Sequence, residues 1–131
     1  MNEALAWDPQ RHSLAHAELD STHHSFVKLL NQTVAASKDQ FVAQLQQLLE
    51  HTQQHFAQEE QLMQASKFPS LVEHQAEHQR VLGELQQLTT RAQQGRSTLL
   101  ARAYVQDKLP EWFNLHTTTM DSALTAYLYV R

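Results

Sequence analysis

Cysteine is absent from the 131 residues, and there are only two glycines and three prolines. Without thiols there is no disulfide, no thiolate metal site and no cysteine nucleophile. So few chain-breaking residues leave little room for turns, and the chain is expected to be mostly helix. No apolar run approaches the ~20 residues that a membrane-crossing helix needs. Met1 to Trp7 carry no basic stretch ahead of an apolar one, so no secretory leader is expected. A net charge of −4 with both signs scattered speaks against nucleic acid as a partner. The expectation is a cytoplasmic monomer, with residues 1–131 forming one domain around one core.

What is plentiful is histidine: nine residues, with no terminal run that would mark a tag. Residues 1–19 show no clear period and are read as an N-terminal arm, with Trp7, Leu14 and Leu19 available to pack on the body. Asp20 is the expected N-cap of a first helix over about 21–37. Its positions Phe26, Leu29, Leu30, Thr33 and Val34 follow the helical period. Ser37 to Gln40 has capping-box spacing and opens a second helix, about 40–65, ended by Lys67-Phe68-Pro69. A second such box, Ser70 to Glu73, starts a third helix of about 71–93, with Gly95 beyond it as terminator. Ser97 is the expected cap of a fourth, running to about Tyr127 with a kink or interruption at Pro110. Four helices with short connections imply an all-α, antiparallel up-down-up-down bundle over 20–131.

Such bundles build metal sites from inward side chains on facing helices. The first helix offers His23, the second His55 and Glu59, the third His74 and His78, and the fourth His116 and Asp121. Two of these pairs stand four residues apart and so share a helical face. His116 and Asp121 stand five apart, which on a regular helix separates their directions by roughly 140°. Either the carboxylate reaches a second metal, or a local π-bulge brings the two together. Octahedral first-row ions want about six ligands each. Five imidazoles, two bridging carboxylates and a bridging oxide or hydroxide fill about eleven of about twelve positions on two such ions. If His74, His78 and His116 saturate one metal, the one on His23 and His55 keeps a vacancy suited to a small diatomic molecule.

Several stretches resemble the haemerythrin family. They are Leu19-Asp20-Ser21-Thr22-His23, the run from His55 to Met63, His74-Gln75-Ala76-Glu77-His78, and the run from Trp112 to Asp121. The likeness covers nearly the whole chain after Leu19, and all seven donor positions match in type, order and spacing. The resemblance implies two iron ions (Fe2+/Fe3+). His74, His78 and His116 would hold one, His23 and His55 the other, with Glu59 and Asp121 bridging. It implies reversible O2 binding at the five-coordinate iron, for storage, delivery or sensing, without enzymatic turnover. Phe56, Trp112, Phe113 and Thr117 would then border the O2 pocket. Thr117 stands where the family often has an apolar residue, and its hydroxyl could bond the ligand or admit water.

The remaining histidines are expected to do less. His24 and His51 are read as exposed, with an outer-sphere role for His51 as the alternative. His12 and His16 either cover the pocket mouth or do nothing. Glu60 is read as a solvated neighbour of the site. The competing functions are a di-iron redox enzyme such as a peroxidase or oxidase, a stress protein handling peroxide, NO or iron, and a zinc hydrolase. The Glu-x-x-His helices of carboxylate-rich oxidases and the His-Glu-x-x-His signature of zinc hydrolases are both absent.

Overall fold

The structure is a computed structural model and describes residues 3–130. Among these residues the regular structure is all helical. A short α1 (Pro9–His12) precedes three long helices, α2 (Ala17–Ala35), α3 (Phe41–Ser66) and α4 (Leu71–Gln93). A fourth helical run follows as α5 (Thr98–Ala103), a π-turn (Tyr104–Lys108), α6 (Leu109–His116), a second π-turn (Thr117–Asp121) and α7 (Ser122–Val130).

Side-chain contacts give the direction of each neighbour. Thr33 meets Gln44 and Thr22 meets Gln58, so α3 runs back along α2. Gln46 meets Gln93 and Glu60 meets Gln75, so α4 runs back along α3. Glu84 meets Tyr104 and Glu77 meets Trp112, so the fourth run is antiparallel to α4. Arg102 reaches the Ala36 carbonyl and Asp121 reaches His23, which closes the ring against α2. This is the up-down-up-down bundle that the connections imply.

The helix ends differ from the local signals. The first long helix starts at Ala17, and its cap is His16, whose Nδ1 accepts the Leu19 N–H at 3.1 Å. Asp20 sits inside the first turn, where its carboxylate accepts the N–H of Leu14 at 2.8 Å and of His16 at 3.3 Å, tying the arm to the helix. Neither serine box forms. Gln40 and Ser70 occupy the cap positions without side-chain capping bonds, and the N–H groups of Gln40 and Phe41 go to the Ser37 carbonyl. Ser97 is left-handed, at φ 57°, and makes no side-chain capping bond. Lys67 ends α3 at φ 56°, with the Phe68 N–H returning to the Met63 carbonyl at 2.9 Å, ahead of the helix-breaking Pro69.

The fourth run stays helical through Pro110, and the interruption of its regular α-helix falls just before it. The π-turn there, closed by the Leu109 N–H on the Tyr104 carbonyl, widens the helix where a proline cannot donate. Ahead of α2, α1 is capped by the Asp8 carboxylate, and Leu5 and His12 are buried.

Two apolar clusters flank a polar layer. The larger holds Phe26, Leu30, Phe41, Leu45, Leu48, Leu85, Val105, Leu109 and Phe113, and the smaller holds Leu19, Met63, Phe68 and Leu124. Along α2 the order is Leu19, His23, Phe26; along the fourth run it is Phe113, His116, Asp121, Leu124. The histidines and carboxylates therefore occupy one level of the bundle, enclosed by hydrocarbon above and below. Among the described residues no helix is long and apolar enough to cross a membrane.

Candidate metal centre

All seven expected donors reach that level, and each is at most 4% exposed. The spacing of four puts His55 beside Glu59, with Nε2 to Oε2 at 2.6 Å, and sets the His74 and His78 rings edge-on with centroids 4.5 Å apart. The spacing of five is resolved by the second π-turn. The Ser122 N–H bonds the Thr117 carbonyl five residues back, so residues five apart come to lie over one another. His116 Nε2 then stands 3.1 Å from Asp121 Oδ1. The hydroxyls of Thr118 and Thr119 bond the carbonyls of Asn114 and Leu115 at 2.7 and 2.6 Å, each four residues back. They supply partners for backbone groups that a widened turn disturbs.

Each carboxylate turns one oxygen toward each half of the layer. Glu59 Oε2 lies 3.0 and 2.6 Å from the Nε2 atoms of His23 and His55, while Oε1 lies 3.3 and 3.1 Å from those of His74 and His78. Asp121 Oδ2 lies 3.2 Å from His23 Nε2, and Oδ1 lies 3.1 Å from both His74 and His116 Nε2. The seven side chains thus form two groups, each of which could hold a metal ion: His74, His78 and His116 with both carboxylates, and His23 and His55 with the same two.

The chemistry of this donor set fits a cation. His78 Nε2, Glu59 Oε1 and both Asp121 oxygens are buried with no hydrogen-bond partner. Stranded polar atoms of this kind are costly in a dry interior unless an ion takes them up. Imidazole and carboxylate together suit first-row transition ions. Without an ion, protons do part of this work. Burial lowers the pKa of His23, but the Asp121 and Glu59 carboxylates outweigh it and raise the group to about 10. Burial lowers and the same carboxylates raise His74, which ends at about 9. Burial pushes Glu59 and Asp121 up, yet the surrounding imidazoles bring both below the usual carboxylate range. His55, fully enclosed, is lowered by burial despite Glu59.

The expected pocket residues divide between the halves. Phe113 meets the His23 ring edge-on at 5.6 Å and stacks on Phe26 at 5.0 Å. Phe56 lies 5.3 Å from the His55 ring and also stacks on His78 at 3.9 Å. Trp112 lies on His116 at 4.5 Å, in the three-imidazole half, with its Nε1–H donated to Glu77. Thr117 is fully buried, and its hydroxyl has no hydrogen-bond partner.

Three residues outside the donor set are more engaged than the sequence suggests. Glu60 is half-buried and takes the His78 Nδ1–H at 3.1 Å and a Gln75 amide N–H at 3.0 Å. His12 is buried: its Nδ1 accepts the Asp8 N–H, so Nε2–H donates to Asn114 Oδ1 at 2.7 Å, and its ring packs on Phe113. His51 is half-buried and borders, with Thr22, Gln54 and Gln58, a recess of about 300 Å³ that reaches His55. His24 is exposed, as expected.

Comparison with known proteins agrees with this geometry. The family model described as "Hemerythrin HHE cation binding domain" matches residues 14–128. The chain belongs to the haemerythrin family. A bacteriohemerythrin of Ralstonia nicotianae (strain ATCC BAA-1114 / GMI1000) is 37% identical over 127 residues, covering 97% of this chain and 90% of that relative. No solved structure matches the chain significantly. Haemerythrins are in general oxygen-binding proteins and not enzymes, in line with the non-enzymatic expectation.

Proposed function

We propose that the chain is a single haemerythrin-like domain, 1–131, that holds two iron ions and binds O2 reversibly at one of them. The observation that carries this reading is the sharing of Glu59 and Asp121 between two donor groups, each carboxylate offering one oxygen to each. His74, His78 and His116 would hold one iron; His23 and His55 would hold the other, which has fewer protein donors and so keeps the open position. A bridging oxide or hydroxide would complete the pair. When bound, the iron pair supplies the electrons and the vacancy that O2 requires.

The residues around it supply the rest. Phe56 and Phe113 place hydrocarbon beside the two-imidazole half, which keeps water sparse there. The recess at Thr22, His51, Gln54 and Gln58 offers a route from solvent to His55. A cytoplasmic monomer with O2 or another small diatomic as its ligand fits this arrangement, with no part for nucleic acid or membrane.

The buried, unpartnered hydroxyl of Thr117, next in sequence to His116, favours a second reading, in which a polar group beside the centre speeds oxidation and the protein handles peroxide, NO or iron, or acts as a di-iron redox enzyme. One experiment separates them. The protein is loaded anaerobically with ferrous iron, air is admitted, and the visible spectrum is followed. A charge-transfer band that forms and then disappears under vacuum supports carriage; prompt, irreversible conversion to the diferric form contradicts it. Under the second reading Thr117→Ile slows that conversion several-fold, and unchanged kinetics would remove the hydroxyl from the account.

A further inference from the structure

We propose that Glu60 is a positioning residue for the metal centre: its carboxylate fixes the proton and the orientation of His78, and so sets how firmly the three-imidazole half holds its ion. This rests on the two-metal reading above. Among the five converging imidazoles, those of His23, His55, His74 and His116 have buried Nδ1 atoms without a hydrogen-bond partner. His78 differs, with Nδ1 3.1 Å from Glu60 Oε2. A carboxylate can only accept, so Nδ1 carries the hydrogen. In the neutral ring, Nε2 is then a bare lone pair aimed into the layer, the form in which an imidazole binds a metal.

Two further contacts make this arrangement rigid. Gln75, on the same helix as His78, donates to the other Glu60 oxygen at 3.0 Å and holds the carboxylate in place. Phe56 lies face to face on the His78 ring, at 3.9 Å and 2° between planes, and holds its tilt. The ring is thus set in both plane and tautomer before an ion arrives. His23 and His55 are not: their Nε2 atoms are hydrogen-bonded to Glu59 Oε2 and must give up that contact to bind a metal. A carboxylate behind a ligating imidazole also strengthens it as a donor, and losing such a partner typically weakens metal binding about 10–100-fold.

The test uses cobalt as a spectroscopically convenient stand-in for ferrous iron. Wild type, Glu60→Gln and Glu60→Ala are loaded with Co2+. Its removal by a chelator is timed, and the exchangeable ring N–H resonances are followed by proton NMR. In Glu60→Ala one of the two ions is expected to leave about 10–100-fold faster, with the other ion's rate and the helical circular dichroism unchanged. One ring N–H should exchange with water faster in the same variant. Glu60→Gln, which keeps an acceptor without the charge, should fall between. Equal release in all three proteins, or equal acceleration of both ions, would overturn the role of Glu60. Wild type that takes up fewer than two ions would instead overturn the two-metal reading itself.

Discussion

At the scale of single residues, the centre without its metal is a proton trap. His23 and His74, raised to about 10 and about 9, are both protonated at neutral pH. A metal needs their lone pairs, so loading must expel those protons. Uptake of iron or cobalt at pH 7 in weak buffer should release about two protons per molecule from these two rings, and about one or two more from the water that becomes the bridge; no acidification would contradict the assignment. The sign for stability follows. Groups whose folded pKa lies above the ordinary 6.5 stabilise fully below that value, and the contribution is lost as pH rises through about 9 and 10. Glu59 and Asp121, held low, contribute above about pH 4 and lose it as pH falls. The metal-free protein should therefore weaken at alkaline pH and again below about pH 4, while the metal-loaded one should weaken only toward acid, where protons displace the ions. Thermal melts of both forms across pH check this.

The residue scale is also where the sequence was least legible. His74 and His78 declare themselves by a spacing of four beside Val81 and Leu85. Glu60 does not: next to Glu59 on a helix it points about 100° away, and the partners that turn it inward, Gln75 and His78, lie on another helix. The available signal was register. If Glu59 faces the His74–His78 pair, its neighbour must lie along the same interface. His12 offered no signal, because the arm has no period and Asn114 is 102 residues away.

At the scale of the element, the fourth helical run is the unusual one. The five-residue spacing announced either a bulge or two separate metals, and the structure supplies the bulge. The serine boxes misled because their pattern is purely local, and at Ser37 a backbone turn satisfied the N–H groups first. A π-turn is one extra residue absorbed by a helix. Deleting Thr118 should let the segment close as regular α-helix, leaving histidine and aspartate four apart on one face and the later core position, Leu124, in phase. The expected outcome is a protein that still binds two ions and melts no lower without metal. Loss of metal binding with retained helicity would show that the π geometry itself aims Asp121. The arm adds a second element-scale feature, since α1 packs on this same turn and His12 anchors it to Asn114.

At the scale of the whole molecule, two apolar clusters of unequal size are held together through a level of histidine and carboxylate. The order and direction of the four long helical runs were legible, because apolar period and short connections fix them, whereas the short α1 was not. What joins the halves was visible only as a list of donors until the four helices were brought together. Stability should then depend on the ion. At concentrations about 1,000 times the dissociation constant, binding adds about 4 kcal/mol, or on the order of 10–20 °C in Tm for a chain of this length. A melting temperature indifferent to chelation would contradict that dependence. The central claim, that two irons share Glu59 and Asp121, is tested most directly by a crystal structure of protein purified with ample iron. The account predicts two iron atoms, three imidazoles on one and two on the other, with each carboxylate spanning the pair. A single mononuclear centre, or imidazoles turned away from the layer, would contradict it.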